Sequence, residues 1–351
     1  MTAALAQHDP DPASAGVAAL AARLAGHPIE RAAQIRGNGN SRVYCVEGDG
    51  RRYLLKSYPS PGIDGRNRLA QEEAALGFLN GTGLGSFVPR SIAADRAANA
   101  ALHSWLDGTA IDRHSLSDID QAVDFAARLH ELSTTEAAFN LPAATESTLS
   151  AQELMRQIDV RLGRLHPAAA EDAGLASFLN TAFEPRLDTA RRRLVARYDA
   201  RDLSLSQDLA LNRRVLSPSD FGFHNCLRRG DGRLAFFDFE YFGWDDPVRL
   251  VIDFLCHPAM ALNDDDRRRF FAGTASFLDA DPGFRIRFDA VAPLVALKWC
   301  LILLNEFLPE HWQRRLRAGA HPDWREAKER QLAKAVSMLD LHMTLPMFGR
   351  I

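Results

Sequence analysis

The spacing of apolar residues divides the chain into a strand-rich first third and a mostly helical remainder. Between residues 42 and 58, two short apolar runs flank the turn residues 48–50, which predicts two strands joined by a tight turn. Residues 66–79 repeat apolar positions at intervals of three and four, which predicts a helix. Shorter strand-like runs follow at 92–94 and 101–106. We therefore expect a β-rich N-terminal region that contains one helix.

After residue 107 the pattern becomes helical. Residues 118–132, 149–164 and 175–198 place apolar side chains on one helical face, and so does much of the chain beyond residue 248. A strand-rich island at residues 216–240 interrupts these helices. The pattern therefore predicts a larger, mostly helical second region that holds one small β element.

Together these two regions predict an α+β fold with two lobes. We assign residues 26–107 to a small β-rich N-terminal lobe and residues 108–351 to a larger helical C-terminal lobe. Residues 1–25 are rich in alanine and contain Asp-Pro pairs, so we predict a peripheral lead-in that need not be ordered.

The strand-rich island holds the candidate chemistry. Asp231 and Gly232 predict a two-residue hairpin turn, and that turn would place Asn225 directly opposite Asp238. An amide and a carboxylate oxygen suit a hard cation such as Mg²⁺. Asp220, at the start of the same loop, would be free to accept a proton from a hydroxyl group.

Composition adds one observation about lysine. The chain has 42 basic residues, and Lys56 is the only lysine before Lys298. A GC-rich genome, which favours arginine codons, explains the scarcity of lysine, whereas a site that needs a compact cation explains the retention of Lys56. Both explanations stay open. A turn that can approach phosphate groups precedes the first of the two predicted strands, and Lys56 lies on the second. The residues of this turn are Gly37, Asn38, Gly39, Asn40 and Ser41.

Several classes of protein are disfavoured. A net charge of -3 argues against a nucleic-acid partner, and four widely separated cysteines argue against a disulfide scaffold or a structural zinc site. The apolar run at residues 291–304 is interrupted by Lys298 and is too short to cross a membrane. The first residues lack the basic start of a secretory signal. We therefore expect a cytoplasmic protein that has no membrane partner.

The order of these features resembles the aminoglycoside phosphotransferase and choline-kinase-like family, which has a protein-kinase-like fold. The resemblance extends from about residue 37 to residue 253. It implies that Lys56 pairs with the phosphates of ATP and that Glu72 holds Lys56, with Glu73 as the alternative. It further implies that the turn at residues 37–41 is the nucleotide loop, and that the adenine meets backbone groups of a hinge that contains Ser104 and Leu106.

The same resemblance implies an activity. A family member transfers the γ-phosphoryl group of ATP to a hydroxyl of a small molecule such as a sugar, an amino alcohol or an aminoglycoside. Asp220 would act as the base, and Asn225 and Asp238 would hold Mg²⁺. Only a few residues separate the Asp-Phe-Glu motif at 238–240 from the Gly-Trp-Asp-Asp-Pro run at 243–247, so the long activation segment of protein kinases has no room.

One departure from the family keeps a second hypothesis open. The family usually has a histidine two residues before the catalytic aspartate, and this chain has Pro218 there. A non-catalytic, nucleotide-binding regulatory protein is therefore the alternative. We assign no role to His224, and we interpret His257 and His311 as ordinary histidines because they lack partners at metal-ligand spacing.

The last candidate residues are polar groups near the C-terminus. Lys298 and Asn305 lie seven positions apart on one face of a strongly apolar helix, and Glu306 follows them. Buried polar groups need partners, so structural hydrogen bonding is one interpretation. The resemblance gives the other interpretation, in which these residues line an acceptor pocket together with Glu240. Both interpretations stay open.

Overall fold

The computed structural model describes residues 12–35, 41–60, 65–317 and 323–344. Its N-terminal lobe contains a five-stranded antiparallel sheet with the strand order β1-β2-β3-β5-β4. The strands are β1 (Arg31–Ile35), β2 (Arg42–Gly48), β3 (Arg51–Ser57), β4 (Ser91–Asp95) and β5 (Ala100–Ser104). Strand β1 was not predicted, because its sequence RAAQI does not alternate apolar and polar residues.

The turn between β2 and β3 follows the prediction. Asp49 and Gly50 have φ angles of 52° and 65°, the left-handed conformation that a tight two-residue hairpin turn requires. This hairpin places Lys56 opposite Val43 on one side and Ala101 of β5 on the other. Lys56 therefore lies on the central strand of the sheet, where its side chain is held by neighbours on both sides.

Two helices flank this sheet. Helix α1 (Pro12–Ala25) packs on the sheet through Ala21, which is fully buried against Val46 and Leu55. The described part of the predicted lead-in is thus packed against the N-terminal lobe. Helix α2 (Arg68–Asn80) begins at Asn67, whose side chain accepts a hydrogen bond from the Ala70 N–H.

The C-terminal lobe is mainly helical. Its core helix is α9 (Phe284–Leu303), which packs against α4, α6, α7 and α11. The helices of this lobe are α3 (Leu116–Leu132), α4 (Ala151–Glu171), α5 (Ala173–Ser177), α6 (Glu184–Asp199), α7 (Pro247–Cys256), α8 (Asp264–Leu278), α9, α10 (Pro309–Arg317) and α11 (Trp324–Thr344).

The predicted helix over 175–198 is interrupted, because a π-helical turn (Phe178–Phe183) separates α5 from α6. One helical stretch in the described residues, Phe284–Phe307, has the length and mean hydropathy (1.6) of a membrane span. In this structure 78% of that window is buried inside the protein, where it forms the centre of the lobe.

The predicted hairpin is present, but its turn is longer by one residue. Strands β8 (Cys226–Arg228) and β9 (Leu234–Phe236) pair with Cys226 opposite Phe236. The Arg229 N–H donates to the Arg233 carbonyl, so the loop has three residues and ends at Gly232, whose φ is +81°. The register therefore shifts by one position. Asn225 accepts a hydrogen bond from the Phe237 N–H and does not lie directly opposite Asp238.

The remaining short strands support the same region. They are β6 (Thr109–Ala110), which pairs with β8, and β7 (Val215–Ser217), which pairs with β10 (Gly243–Asp245). The α+β fold with an antiparallel N-terminal sheet and a helical C-terminal part is confirmed. The domain boundaries given above stay predictions.

Candidate active site

Lys56 lies at the centre of a buried cluster of carboxylates. Its ammonium donates to Glu72 Oε2 at 2.7 Å, lies 2.9 Å from Glu240 Oε2 and also contacts the carboxylate of Asp238. Glu72 is the residue that the resemblance pairs with Lys56, whereas Glu73 faces Arg96 at 3.6 Å. Helix α2, the central strand and the segment after β9 therefore meet at one cation.

Backbone and side-chain donors fix the orientation of Glu72. The Tyr58 hydroxyl donates to Glu72 Oε2 at 2.8 Å, and the Phe239 N–H donates to Glu72 Oε1 at 3.1 Å. Glu72 thus ties the Asp-Phe-Glu motif to the N-terminal lobe. Asp238 has a φ of 68°, an unfavourable conformation for a residue with a side chain, and such strain is characteristic of functional sites.

Glu240 belongs to this cluster. Its carboxylate accepts a hydrogen bond from the Ser41 hydroxyl at 3.1 Å and lies 3.3 Å from Arg68 Nε. It was predicted to line the acceptor pocket, and that prediction is wrong for the described part of the cavity wall. The reason is a turn at Glu240 and Tyr241, which directs the Glu240 carboxylate back toward Lys56.

The cluster has an excess of negative charge. Burial, opposed by Lys56 and reinforced by Glu240 and Glu72, raises the pKa of Asp238 to about 7. Burial would lower the pKa of Lys56, but the three carboxylates outweigh it and hold that pKa well above its usual value. Lys56 is therefore charged, and the carboxylates around it still favour an additional cation.

The loop that follows β7 combines aromatic anchors with polar groups. After β7, the side chains of Phe221 and Phe223 enter the core, where both pack against Phe254. Asp220, which alternates with these anchors, faces the cavity instead. Gly222 separates the two anchors, and a Cβ there would lie 2.8 Å from the His224 ring. The glycine is needed because that ring packs directly on its backbone.

Two histidines hold Asp220. His224 Nε2 lies 2.9 Å and His257 Nε2 lies 3.3 Å from Asp220 Oδ1. The two imidazole rings are stacked, with centroids 3.7 Å apart and planes 6° from parallel. The prediction that His257 is an ordinary histidine is therefore wrong, because α7 brings it to Asp220 from a distant part of the chain.

Hydrogen bonds also indicate which nitrogen carries the proton. The Ala259 N–H donates to His257 Nδ1 at 3.2 Å, so Nε2 is the protonated nitrogen and can donate to Asp220. Burial lowers the pKa of His257, which keeps the ring neutral. Burial would raise the pKa of Asp220, but the hydrogen bonds from both histidines outweigh it and hold that pKa well below its usual range. Asp220 is consequently an ionised, oriented acceptor.

The residues predicted to bind a metal fit Mg²⁺ in their chemistry. Asn225 donates its amide nitrogen to the Asp220 carbonyl at 3.0 Å, which leaves its amide oxygen as the possible ligand. The Asp238 side chain is 32% exposed, and its ligand oxygen lies within 4.8 Å of those of Glu72 and Glu240. Oxygen donors with excess negative charge are what Mg²⁺ prefers.

Some of the predicted nucleotide-binding residues lie in the described part of the chain, and others lie outside it. Gly37, Asn38, Gly39 and Asn40 lie outside the described residues. Ser104 ends β5, and its N–H donates to the Arg90 carbonyl at 2.9 Å, so that group is not available to an adenine. Leu106 lies between β5 and β6, in the segment that connects the two lobes.

A cavity of about 1040 Å³ opens beside Asp220. Its wall includes three of the predicted pocket residues, which are Lys298, Asn305 and Glu306. It also includes Glu146, which was not predicted and which forms ion pairs with Arg161 and Lys298. No pattern at Glu146 pointed to a site, because it lies in an irregular segment before α4.

Comparison with known proteins identifies the family. Residues 31–283 match the profile of the APH family, described as a phosphotransferase enzyme family. The chain belongs to this family. It is a small-molecule kinase, as its phosphotransferase relatives are. No sequence among the curated proteins is significantly similar to this APH-family chain.

Solved structures agree with this assignment. The choline kinase LicA from Streptococcus pneumoniae superposes with a TM-score of 0.56 at 14% identity, covering 93% of this chain and 98% of that one. A spectinomycin phosphotransferase in complex with ADP and spectinomycin gives 0.60 at 12% identity, covering 94% and 99%. A putative aminoglycoside phosphotransferase from Ralstonia eutropha gives 0.57 at 13% identity, covering 93% and 97%. At these identities the likeness shows the protein-kinase-like fold.

Proposed function

We propose that this APH-family protein transfers the γ-phosphoryl group of ATP to a hydroxyl of a small molecule bound in the cavity beside Asp220. The acceptor oxygen forms a bond to the γ-phosphorus while the bond from that phosphorus to the ADP oxygen breaks. The hydroxyl proton passes to Asp220. Positioning and charge neutralisation supply most of the catalysis in such a reaction.

The Lys56 cluster is the proposed nucleotide site. Lys56 pairs with the phosphates, and Glu72 holds Lys56 in place at 2.7 Å. Asn225 and Asp238 hold Mg²⁺, which when bound neutralises the charge of the phosphates. Ser41 and the turn before it cover the phosphates, and the Ser104 carbonyl and Leu106 backbone meet the adenine. The presence of ADP in one structural relative supports an adenine nucleotide.

The observation that carries the proposal is the position of Asp220. Its carboxylate is held by two histidine donors on the wall of a cavity large enough for a sugar or an amino alcohol. The two donors provide the orientation that the absent motif histidine would give at Pro218. This arrangement favours a catalytic protein over a regulatory nucleotide-binding protein, because it orients an ionised carboxylate toward the cavity in which an acceptor would lie.

The substitution Asp220→Asn tests this proposal. With Mg²⁺ and ATP, ADP formation is measured against a panel of sugars, amino alcohols and aminoglycosides. We expect at least one acceptor to stimulate turnover, and we expect Asp220→Asn to lower kcat by about 10²–10⁴-fold, the range that a positioned general base supplies. Asp188→Asn, an exposed position on α6, is the matched control and should retain full activity. A folded Asp220→Asn variant with unchanged kcat would contradict the proposed role.

A further inference from the structure

One carboxylate on the cavity wall meets three cations. Arg161 Nη2 lies 2.7 Å from Glu146 Oε1 and 2.5 Å from Oε2, and Lys298 Nζ lies 3.3 Å from Oε2. Arg66 also forms an ion pair with Glu146. We call Glu146, Arg161 and Lys298 the cationic subsite, since even without Arg66 these three side chains carry a net positive charge.

Burial makes this positive charge costly. The Lys298 side chain is 4% exposed, and it also donates to the neutral amide oxygen of Gln157. Burial and the nearby Arg249 guanidinium lower the pKa of Lys298 to about 8, although Glu146 opposes them. A second anion beside Arg161 and Lys298 would relieve this repulsion, so the subsite favours a negatively charged ligand.

Most carboxylates on the described wall are already paired with an arginine, which disfavours a cationic acceptor. Besides Asp220 and Glu146, four wall carboxylates each face an arginine at 2.6 to 3.1 Å, in the pairs Glu153–Arg156, Glu310–Arg164, Glu306–Arg315 and Asp253–Arg249. Of these, Glu306 keeps one oxygen, Oε2, without a hydrogen-bond partner. Asp220 itself accepts from two histidines. Binding a polyamine here would require breaking protein ion pairs, which opposes its affinity.

On the described part of the wall, the aromatic side chains do not form a cage for a quaternary ammonium group either. Arg66 and Arg68 each lie 5.8 Å from the centroid of the Tyr241 ring, so that ring already faces two cations. The Trp299 ring meets the His257 ring edge to face, and its Nε1 donates to Asp253 at 2.9 Å. Choline-like ligands need open aromatic faces, and these rings are already engaged.

We propose that the acceptor is an anionic hydroxyl compound whose carboxylate or phosphate group binds to Arg161 and Lys298. This inference rests on the proposed function only in taking the cavity beside Asp220 as the acceptor site. Arg161 presents a planar guanidinium that can bind two oxygens of such a group, and Lys298 adds a compact charge. The anionic group fixes the distance at which the hydroxyl meets Asp220.

Equilibrium binding tests the inference without turnover. Four probes with similar sugar skeletons are titrated calorimetrically into the protein loaded with Mg²⁺ and a non-hydrolysable ATP analogue: glucose, glucosamine, gluconate and glucose-6-phosphate. We expect gluconate or glucose-6-phosphate to bind at least about tenfold more tightly than glucose and glucosamine, because a buried charge pair contributes at least that factor to the affinity. The two anionic probes distinguish a carboxylate from a phosphate ligand.

Variants assign the preference to the subsite. Arg161→Gln and Lys298→Met should remove the preference for the anionic probe, while Arg192→Gln, an exposed arginine on α6 outside the cavity, should preserve it. The inference would be overturned if glucosamine bound most tightly, if the four probes bound without a preference, or if the preference survived both subsite variants. Failure of the proposed function is a separate result, namely absence of Mg²⁺-dependent binding of the ATP analogue itself.

Discussion

Removing the His257 donor should impair phosphotransfer without impairing nucleotide binding. His257 contacts Asp220 Oδ1 at 3.3 Å, and a hydrogen bond to its Nδ1 from the Ala259 N–H fixes the tautomer that donates. In His257→Leu this donor is lost, while the apolar side chain still fills space beside Trp299. His224 remains at 2.9 Å, so Asp220 keeps one of its two side-chain donors.

The size of the effect follows from the hydrogen bond that is lost. A hydrogen bond to a charged group contributes about 1.5–3 kcal/mol, and about 1.4 kcal/mol corresponds to a factor of ten. If that energy orients Asp220 in the transition state, His257→Leu lowers kcat by roughly 10- to 100-fold. His257→Gln keeps an N–H donor at a similar reach, so it should recover part of the loss.

Steady-state kinetics with ATP and an accepted hydroxyl substrate provides the assay. In His257→Leu we expect a fall in kcat and an unchanged KM for ATP, and in His257→Gln we expect a partial recovery of kcat. A merely structural role would instead lower thermal stability and affect both variants alike. A His257→Leu protein with wild-type kcat would refute the reasoning, because it would show that His224 alone orients Asp220.

Three further substitutions test other parts of the site. Lys56→Arg should lower kcat/KM by about 10²-fold, nearly as much as Lys56→Met, because the longer guanidinium displaces the phosphates. Wild-type steady-state kinetics in Lys56→Arg would mean that this position does not require a lysine. Asp238→Ala should abolish Mg²⁺-dependent turnover without lowering the melting temperature, because it relieves repulsion from Glu72 and Glu240; turnover that persists would remove the metal assignment. Burial lowers the pKa of Lys298 from 10.5 to about 8, so the folded protein releases this proton at a lower pH than the unfolded protein does. The free energy of unfolding therefore rises with pH between those two values. In chemical denaturation, Lys298→Met should lack that rise, and an unchanged pH dependence would contradict the low pKa.

Local patterns predicted the parts of the site that depend on neighbouring residues. The β2–β3 turn at Asp49 and Gly50 was predictable because both residues tolerate a positive φ. The β8–β9 hairpin was predicted one residue out of register, since Gly232 closes a three-residue loop as readily as a two-residue turn. A single glycine could not decide between the two.

Contacts between distant segments were not predictable in the same way. His257 meets Asp220 only because α7 packs beside the loop that contains Asp220, and nothing near His257 in the sequence indicates this contact. The contacts of Glu146 were unpredictable for the same reason, because Glu146 lies in an irregular segment while its partners Arg161 and Lys298 lie on two different helices. Lys56 and Glu72 could be paired from sequence only through the resemblance to a known family.

We propose that the Lys56 cluster and Asp220 form one phosphotransfer site. The most direct test is a crystal structure with Mn²⁺, in place of Mg²⁺, and a non-hydrolysable ATP analogue, in which anomalous scattering locates the metal. The account predicts Mn²⁺ bound by the Asn225 amide oxygen and the Asp238 carboxylate, Lys56 on the phosphates, and the γ-phosphate facing the cavity beside Asp220. A metal bound elsewhere, or a nucleotide whose γ-phosphate faces away from Asp220, would contradict it.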